Sequence, residues 1–191
     1  MTARVALTYR DYAALPDDGK RYEIHDGELS VTPAPMSDHQ IVSIRLAAFL
    51  HAHVEARRLG IVLHAPLDVI LSDTTTETTI LQPDIVYLDP ERLPALRRRG
   101  VVGAPSLVIE ILSPTTAVTD RSTKRALYAR YRVPHYWIVD LDARVIESYV
   151  LHGDDYRLTV RASGSQPVDL PPFVDLGLVP DSPWPPFPIQ P

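Results

Sequence analysis

The chain contains no cysteine among its 191 residues. Disulfides, thiolate zinc sites and a cysteine nucleophile are therefore excluded. No apolar run approaches the ~20 residues that a membrane helix needs. The opening Met-Thr-Ala-Arg-Val-Ala-Leu-Thr lacks a signal-peptide core. A cytoplasmic protein with no membrane partner is the expectation. There is no internal repeat, no glycine-rich phosphate loop and no Ser-His-Asp spacing. A basic excess is also missing: the net charge is −5, whereas nucleic-acid binders usually carry a basic footprint. The basic residues are nevertheless grouped, at Arg57-Arg58, at Arg97-Arg98-Arg99, and at Arg121, Lys124, Arg125, Arg130 and Arg132. An acidic total leaves room for a basic cleft, and the last group flanks the stretch of greatest chemical interest.

The hydrophobic content of 45% and charged content of 23% are those of an ordinary globular chain long enough to bury a core. We expect one domain over residues 1–166 and a proline-rich tail over 167–191, which holds nine of the 19 prolines. Apolar side chains spaced along that tail (Phe173, Leu176, Leu178, Trp184, Phe187) predict packing on the domain or on a partner subunit.

Local signals order the rest. Thr8 and Asp11 have capping-box spacing for a short helix ending before Pro16. Two strand-like segments flank His25-Asp26-Gly27-Glu28, a hairpin with an Asp-Gly turn. Ser37 is placed to cap a long helix over 38–58, with a broad apolar face and Gly60 as its C-cap. A strand over 61–71, bent at Pro66, comes next, followed by a polar connection over 72–79. Beyond a strand at 84–88, a loop or short helix spans 91–99. A strand at 106–112, a helix from about Thr119, a strand at 136–140 and a hairpin of 144–151 with 156–161 complete the pattern.

Residues 82–131 carry the chemistry. In the strand 106–112, Leu107, Ile109 and Ile111 share one face, and Val108, Glu110 and Leu112 the other. Both faces are apolar apart from Glu110, the pattern of a central strand covered on both sides. Pro83-Asp84 heads another apolar run. A carboxylate in such a strand is costly to desolvate unless a cation or donors compensate it. Asp120, Lys124 and Tyr128 follow at i, i+4, i+8, one helix stripe. Two readings are open: a buried ion pair of Glu110 with Lys124, or a metal site, since hard divalent ions take convergent carboxylate oxygens.

Pro83-Asp84, Glu110 and a lysine, in that order, resemble the PD-(D/E)XK nuclease superfamily, and more closely the Uma-type restriction endonuclease family. Tyr22-Glu23-Ile24, Asp26-Gly27-Glu28-Leu29, His39, Glu110-Ile-Leu-Ser-Pro114, Asp120, Lys124, Tyr128 and Val133-Pro-His-Tyr-Trp-Ile-Val-Asp140 complete the match, over roughly residues 8–180. The superfamily lysine lies two residues after the glutamate, where this chain has Leu112. The resemblance implies a variant in which Lys124, on the following helix, takes its place.

The implied fold is α/β, restriction-endonuclease-like, with a mixed central sheet flanked by helices and added β-hairpins. The implied activity is Mg²⁺-dependent endonucleolytic hydrolysis of DNA, with Mn²⁺ able to substitute, by a homodimer. Asp84, Glu110 and Lys124 become the catalytic candidates. The metal candidates are Asp84, Glu110, the backbone carbonyl of Ile111 and Glu23, which reads equally as an exposed strand glutamate. Lys124 would balance charge on the phosphorane or deprotonate water. Asp120 would orient Lys124, or merely pair with it on the helix surface. His39 would cap its helix or contact phosphate, and Tyr128 would pack. Arg121 and Arg125 are the candidate nucleic-acid contacts. The alternative is a non-catalytic nucleic-acid-binding or assembly module that retains the nuclease fold.

Overall fold

The computed structural model describes residues 6–74 and 77–187. Thr75 and Thr76 of the polar connection lie outside the described residues. The first helix, α1 (Tyr9–Ala13), carries the Thr8–Asp11 capping box expected from its spacing. β1 (Arg21–His25) and β2 (Glu28–Thr32) form the expected hairpin, with Asp26 at φ 51° and Gly27 at φ 79° in its turn. α2 (Ser37–Arg57) begins one residue early, capped by Met36 and not by Ser37. It ends on Arg58, whose φ of 54° supplies the left-handed cap that was expected of Gly60. Gly60 answers another need. At φ 134°, a Cβ there would stand 2.0 Å from the Leu88 carbonyl oxygen.

The 61–71 segment is not one bent strand. It divides around Pro66, which has no N–H for a ladder, into β3 (Ile61–His64) and β4 (Val69–Asp73), and these join different sheets. β5 (Thr78–Leu81) and β6 (Ile85–Leu88) follow. The 91–99 segment contains a 3₁₀ turn, Leu93–Ala95, before β7 (Leu96–Arg97) and β8 (Gly100–Val102). β9 (Leu107–Ile111) leads to α3, a helix in three consecutive pieces: Ala117–Thr119, a π-type turn Asp120–Lys124, and Arg125–Arg130. β10 (His135–Asp140) and the hairpin β11 (Val145–His152) and β12 (Asp155–Ala162) complete the regular elements.

The strands make two six-stranded sheets, ordered β2-β1-β5-β4-β8-β7 and β12-β11-β10-β9-β6-β3. Each contains one parallel pair, β4 with β8 and β9 with β10. The α/β class with a mixed central sheet and flanking helices therefore holds, and the N-terminal hairpin lies in the sheet that does not contain β9. β9 lies inside its sheet between β10 and β6, and all five of its residues are buried. Leu107, Ile109 and Ile111 pack with Val42, Leu46 and Leu50 of α2 and with Phe173, Leu178 and Trp184 of the tail. Val108 and Leu112 pack with Leu127 and Tyr128 of α3 and with Val69, Leu81 and Val101 of the other sheet. Each such side chain contributes roughly 1.5–3 kcal/mol on full burial. That apolar burial offsets the cost of holding Glu110 in the same strand.

Candidate active site

Three elements deliver the central groups. Asp84 sits just before β6, Glu110 is the fourth residue of β9, and Lys124 ends the π-type turn of α3. All three are buried, as are Glu23 of β1, His39 of α2 and Asp120 of α3. The Lys124 ammonium lies 2.9 Å from Glu23 Oε1, 3.2 Å from Glu110 Oε1 and 3.3 Å from Asp120 Oδ1. The Tyr128 hydroxyl donates to Glu110 Oε1 at 2.7 Å. Glu23 also accepts the backbone N–H of Gln82 at 2.7 Å and meets His25 at 3.1 Å.

Asp84 is held by a separate set of donors. Arg21 Nη1 lies 2.9 Å from Oδ1, while His39 Nε2 at 3.2 Å and the Ile111 N–H at 2.8 Å share Oδ2. Arg21 also donates to the Gln82 carbonyl. The β9 backbone thus ties one acidic residue to the strand that carries the other.

These contacts divide the acids into two kinds. Burial disfavours ionised Asp84, but the His39 bond, the Arg21 charge and the Ile111 N–H outweigh it and hold the carboxyl below its usual range. Glu23 likewise resists its burial through Lys124, His25 and Gln82, and its carboxyl is lowered. Glu110 goes the other way. Burial pushes it well above the usual range, Asp120, Asp84 and Glu23 add to the push, and Lys124 only partly opposes it. Asp120 is raised too, by burial against the pull of Lys124. Lys124 stays charged despite its burial, because Glu110, Glu23 and Asp120 surround it.

Glu23, Asp84, Glu110 and Asp120 line a cavity of about 290 Å³ together with Arg21, His39 and Lys124. Four carboxyl groups there face two permanent cations, Arg21 and Lys124. The raised carboxyls of Glu110 and Asp120 mark where positive charge is lacking. A dication would balance the set, and its oxygen donors are those a hard ion prefers. As arranged here, no group of three His, Asp or Glu among the described residues is set to hold an ion. Protein cations and N–H donors occupy the carboxylates instead. The residues therefore fit a divalent ion in charge and donor type, and binding it requires Asp84 and Glu110 to exchange partners.

Among the sequence candidates, Asp84, Glu110, Ile111, Lys124, Glu23, Asp120 and His39 line one cavity, and Tyr128 touches it through Glu110. Glu23 is not an exposed strand residue, nor is Asp120 a helix-surface partner; both are buried against Lys124. Tyr128 packs and also donates a hydrogen bond. Arg121 and Arg125 are not brought to the cavity. Arg121 pairs with Asp140 at 2.9 Å and with Glu147 at 2.6 Å, and Arg125 pairs with Asp155 at 2.9 Å. Sequence reasoning missed Arg21. Its signal was present, since Arg21 and Glu23 are two apart on β1 and so share a face.

Comparison with known proteins identifies a family and a shared fold. The family model Uma2, described as "Putative restriction endonuclease", matches residues 9–182. An uncharacterized protein of Synechocystis, slr1290, is 26% identical over 153 residues, which span 79% of this chain and 77% of the relative. A crystal structure from Anabaena variabilis, described as "a putative nuclease belonging to DUF820", superposes with a TM-score of 0.69 at 18% identity. That match covers 93% of this chain and 97% of the other, and it shows a shared fold. The description of the family points to nuclease chemistry.

Proposed function

This chain belongs to the Uma2 family, and from that premise we propose that it hydrolyses phosphodiester bonds of DNA endonucleolytically with Mg²⁺, or Mn²⁺ in its place. One observation carries the reading. Asp84, Glu110 and Lys124 arrive from three separate elements at one cavity that holds more acid than fixed cation. Asp84 and Glu110, with the Ile111 carbonyl and Glu23, would hold the ion. A bound Mg²⁺ supplies Lewis acidity toward the scissile phosphate and an attacking water of lowered pKa.

The side chains have distinct tasks in this reading. Lys124, charged and gripped by three carboxyl groups, balances negative charge growing on the phosphoryl oxygens. Its raised pKa favours that task over deprotonating water. Asp120 and Glu23 keep its ammonium in place, and Tyr128 steadies Glu110. Arg21 offers a guanidinium to a phosphate oxygen once Asp84 turns to the ion. Cutting both strands of a duplex would take two copies of the site, and a homodimer is part of the proposal for that case alone.

Calorimetric titration of Mg²⁺ and Mn²⁺ into the wild type, Asp84→Asn and Glu110→Gln tests this reading. Binding lost in both variants, with a cooperative thermal melt retained and DNA cleavage abolished, is the expected result. A wild type that binds neither ion, even with oligonucleotide present, would reject catalysis and favour a binding or assembly module.

A further inference from the structure

A second cavity, of about 720 Å³, adjoins the first. Arg21, His39 and Asp84 line both. Much of its remaining wall is made by α2 on one side, with Gln40, Ser43 and Ile44, and by His64 at the end of β3 and Pro66 just beyond it on the other. Ser43 and His64 are joined across it by a 2.8 Å hydrogen bond between Oγ and Nε2. Ile44 is 56% exposed.

Resting on the nuclease reading above, we infer that this cavity receives the unpaired nucleoside beside the scissile phosphate, so that the substrate is single-stranded or frayed DNA. Continuity is the first argument. A phosphate held by Arg21 on the shared wall places its own sugar and base in one of the two cavities, and the carboxylates occupy the first. Size is the second. The volume lies within the ~300–1,000 Å³ of pockets that take one small ligand, the scale of a single nucleoside.

The lining supplies the third argument. Ile44 and Pro66 offer apolar surface to the flat face of a base. Gln40 and the Ser43–His64 pair offer both donors and acceptors to its edge. Charge supplies the fourth. Duplex binding tracks the phosphates of two strands with many lysines and arginines. Arg21 and Lys124 are the only such residues among those lining the two cavities. The arginines near α3 are already paired, Arg121 with Asp140 and Glu147, Arg125 with Asp155, Arg130 with Asp26, and Arg132 with Asp154.

The test measures the affinity of the full chain for a fluorescent phosphorothioate oligodeoxynucleotide that resists hydrolysis. The oligonucleotide is offered single-stranded or annealed, with Mg²⁺ present. Ile44→Trp fills the cavity from an exposed helix position, and Ile44→Ala leaves it open; a thermal melt checks the fold of each. The single strand should bind about tenfold or more tighter than the duplex, and Ile44→Trp should erase that margin, the loss of roughly one stacked base. Ile44→Ala, which removes part of the apolar surface under the base while leaving the cavity open, should weaken single-strand binding by about threefold, less than Ile44→Trp.

Equal or tighter duplex affinity, or a folded Ile44→Trp that binds single strands like wild type, would overturn the subsite. Either result leaves the metal and cleavage measurements standing. Conversely, single-strand binding that depends on Ile44, in a chain that neither binds Mg²⁺ nor cuts DNA, would uphold the cavity and sink the nuclease reading.

Discussion

Lys124 and Glu110 meet at 3.2 Å between Nζ and Oε1, a helix residue closing on a central-strand acid 14 positions earlier. The lysine two residues after the glutamate, usual in the superfamily this chain resembles, is here Leu112, which is buried in the apolar cluster beside α3. A cation delivered from the helix lets that strand position contribute to the core while the ammonium still reaches the acid.

Removing the cation alone should be severe. Lys124→Met strands Glu23, Glu110 and Asp120 in a buried setting, and we expect a loss of roughly 3–5 kcal/mol. Urea unfolding measures it. Lys124→Met combined with Glu23→Gln should recover part of that loss, because the carboxylate nearest the ammonium, held below its usual range by it, goes with its partner. A single-variant loss below about 1 kcal/mol would indicate a solvated pair instead. Loss of cleavage in Lys124→Ala therefore needs a stability measurement beside it before it speaks to catalysis.

Tyr128→Phe removes one hydrogen bond to Glu110 and leaves the ring in place. About 1–2 kcal/mol of stability should be lost. The urea midpoint should fall with the slope of the transition unchanged.

Arg21 competes with any cation for Asp84. Arg21→Gln should therefore bind Mg²⁺ more tightly, by about tenfold, near the effect of one neighbouring unit charge on a carboxylate. DNA affinity should fall in the same variant, because a phosphate partner is gone. Calorimetry for the ion and fluorescence anisotropy for the oligonucleotide separate the two effects. Unchanged Mg²⁺ affinity would mean that the ion does not draw on Asp84.

His135 should make the fold acid-sensitive. Burial first, then the charge of Arg92, push its imidazole down to about 4 from the ordinary 6.5, with Asp89 partly opposing. The unfolded chain takes up the proton near pH 6.5 and the folded chain only near 4. Stability from this group is therefore complete above that higher value and is lost as pH falls toward the lower one. Discounted for screening at a partly exposed ring, the loss is about 1–2 kcal/mol. Urea midpoints across that window should flatten in His135→Gln. A wild-type profile already flat there would refute the assignment.

The sequence disclosed the site in proportion to how locally each residue is specified. An apolar run on both strand faces put Glu110 in a central strand, and the Asp26-Gly27 turn announced the β1–β2 hairpin. What stayed hidden depends on distant pairing. β1 reaches the site because Ile24 pairs with Ile80 of β5, a strand of the same sheet but more than 50 residues later in the chain, and no local pattern encodes that register. Arg121 and Arg125 looked like site residues because they flank Lys124. Their partners, Glu147 and Asp155, lie on a later hairpin that turns both side chains away. Pro66 was legible as an interruption, but its effect of sending the chain from one sheet to the other was not.

The packing of the tail has a consequence for the order in which the molecule can be made. Every residue that faces the acidic cavity precedes Arg125, yet one face of β9 is covered by Phe173, Leu178 and Trp184. Phe173 meets Trp137 edge-on at 6.0 Å, and the Trp137 indole donates to the Pro171 carbonyl at 2.6 Å. A nascent chain emerging from the ribosome thus presents all its acids and its lysine well before it can seal the sheet that holds them. Domains fold as units during synthesis, so the acidic cavity should take its final form only after residues through Trp184 have emerged, and a product stopped before Phe173 should lack it.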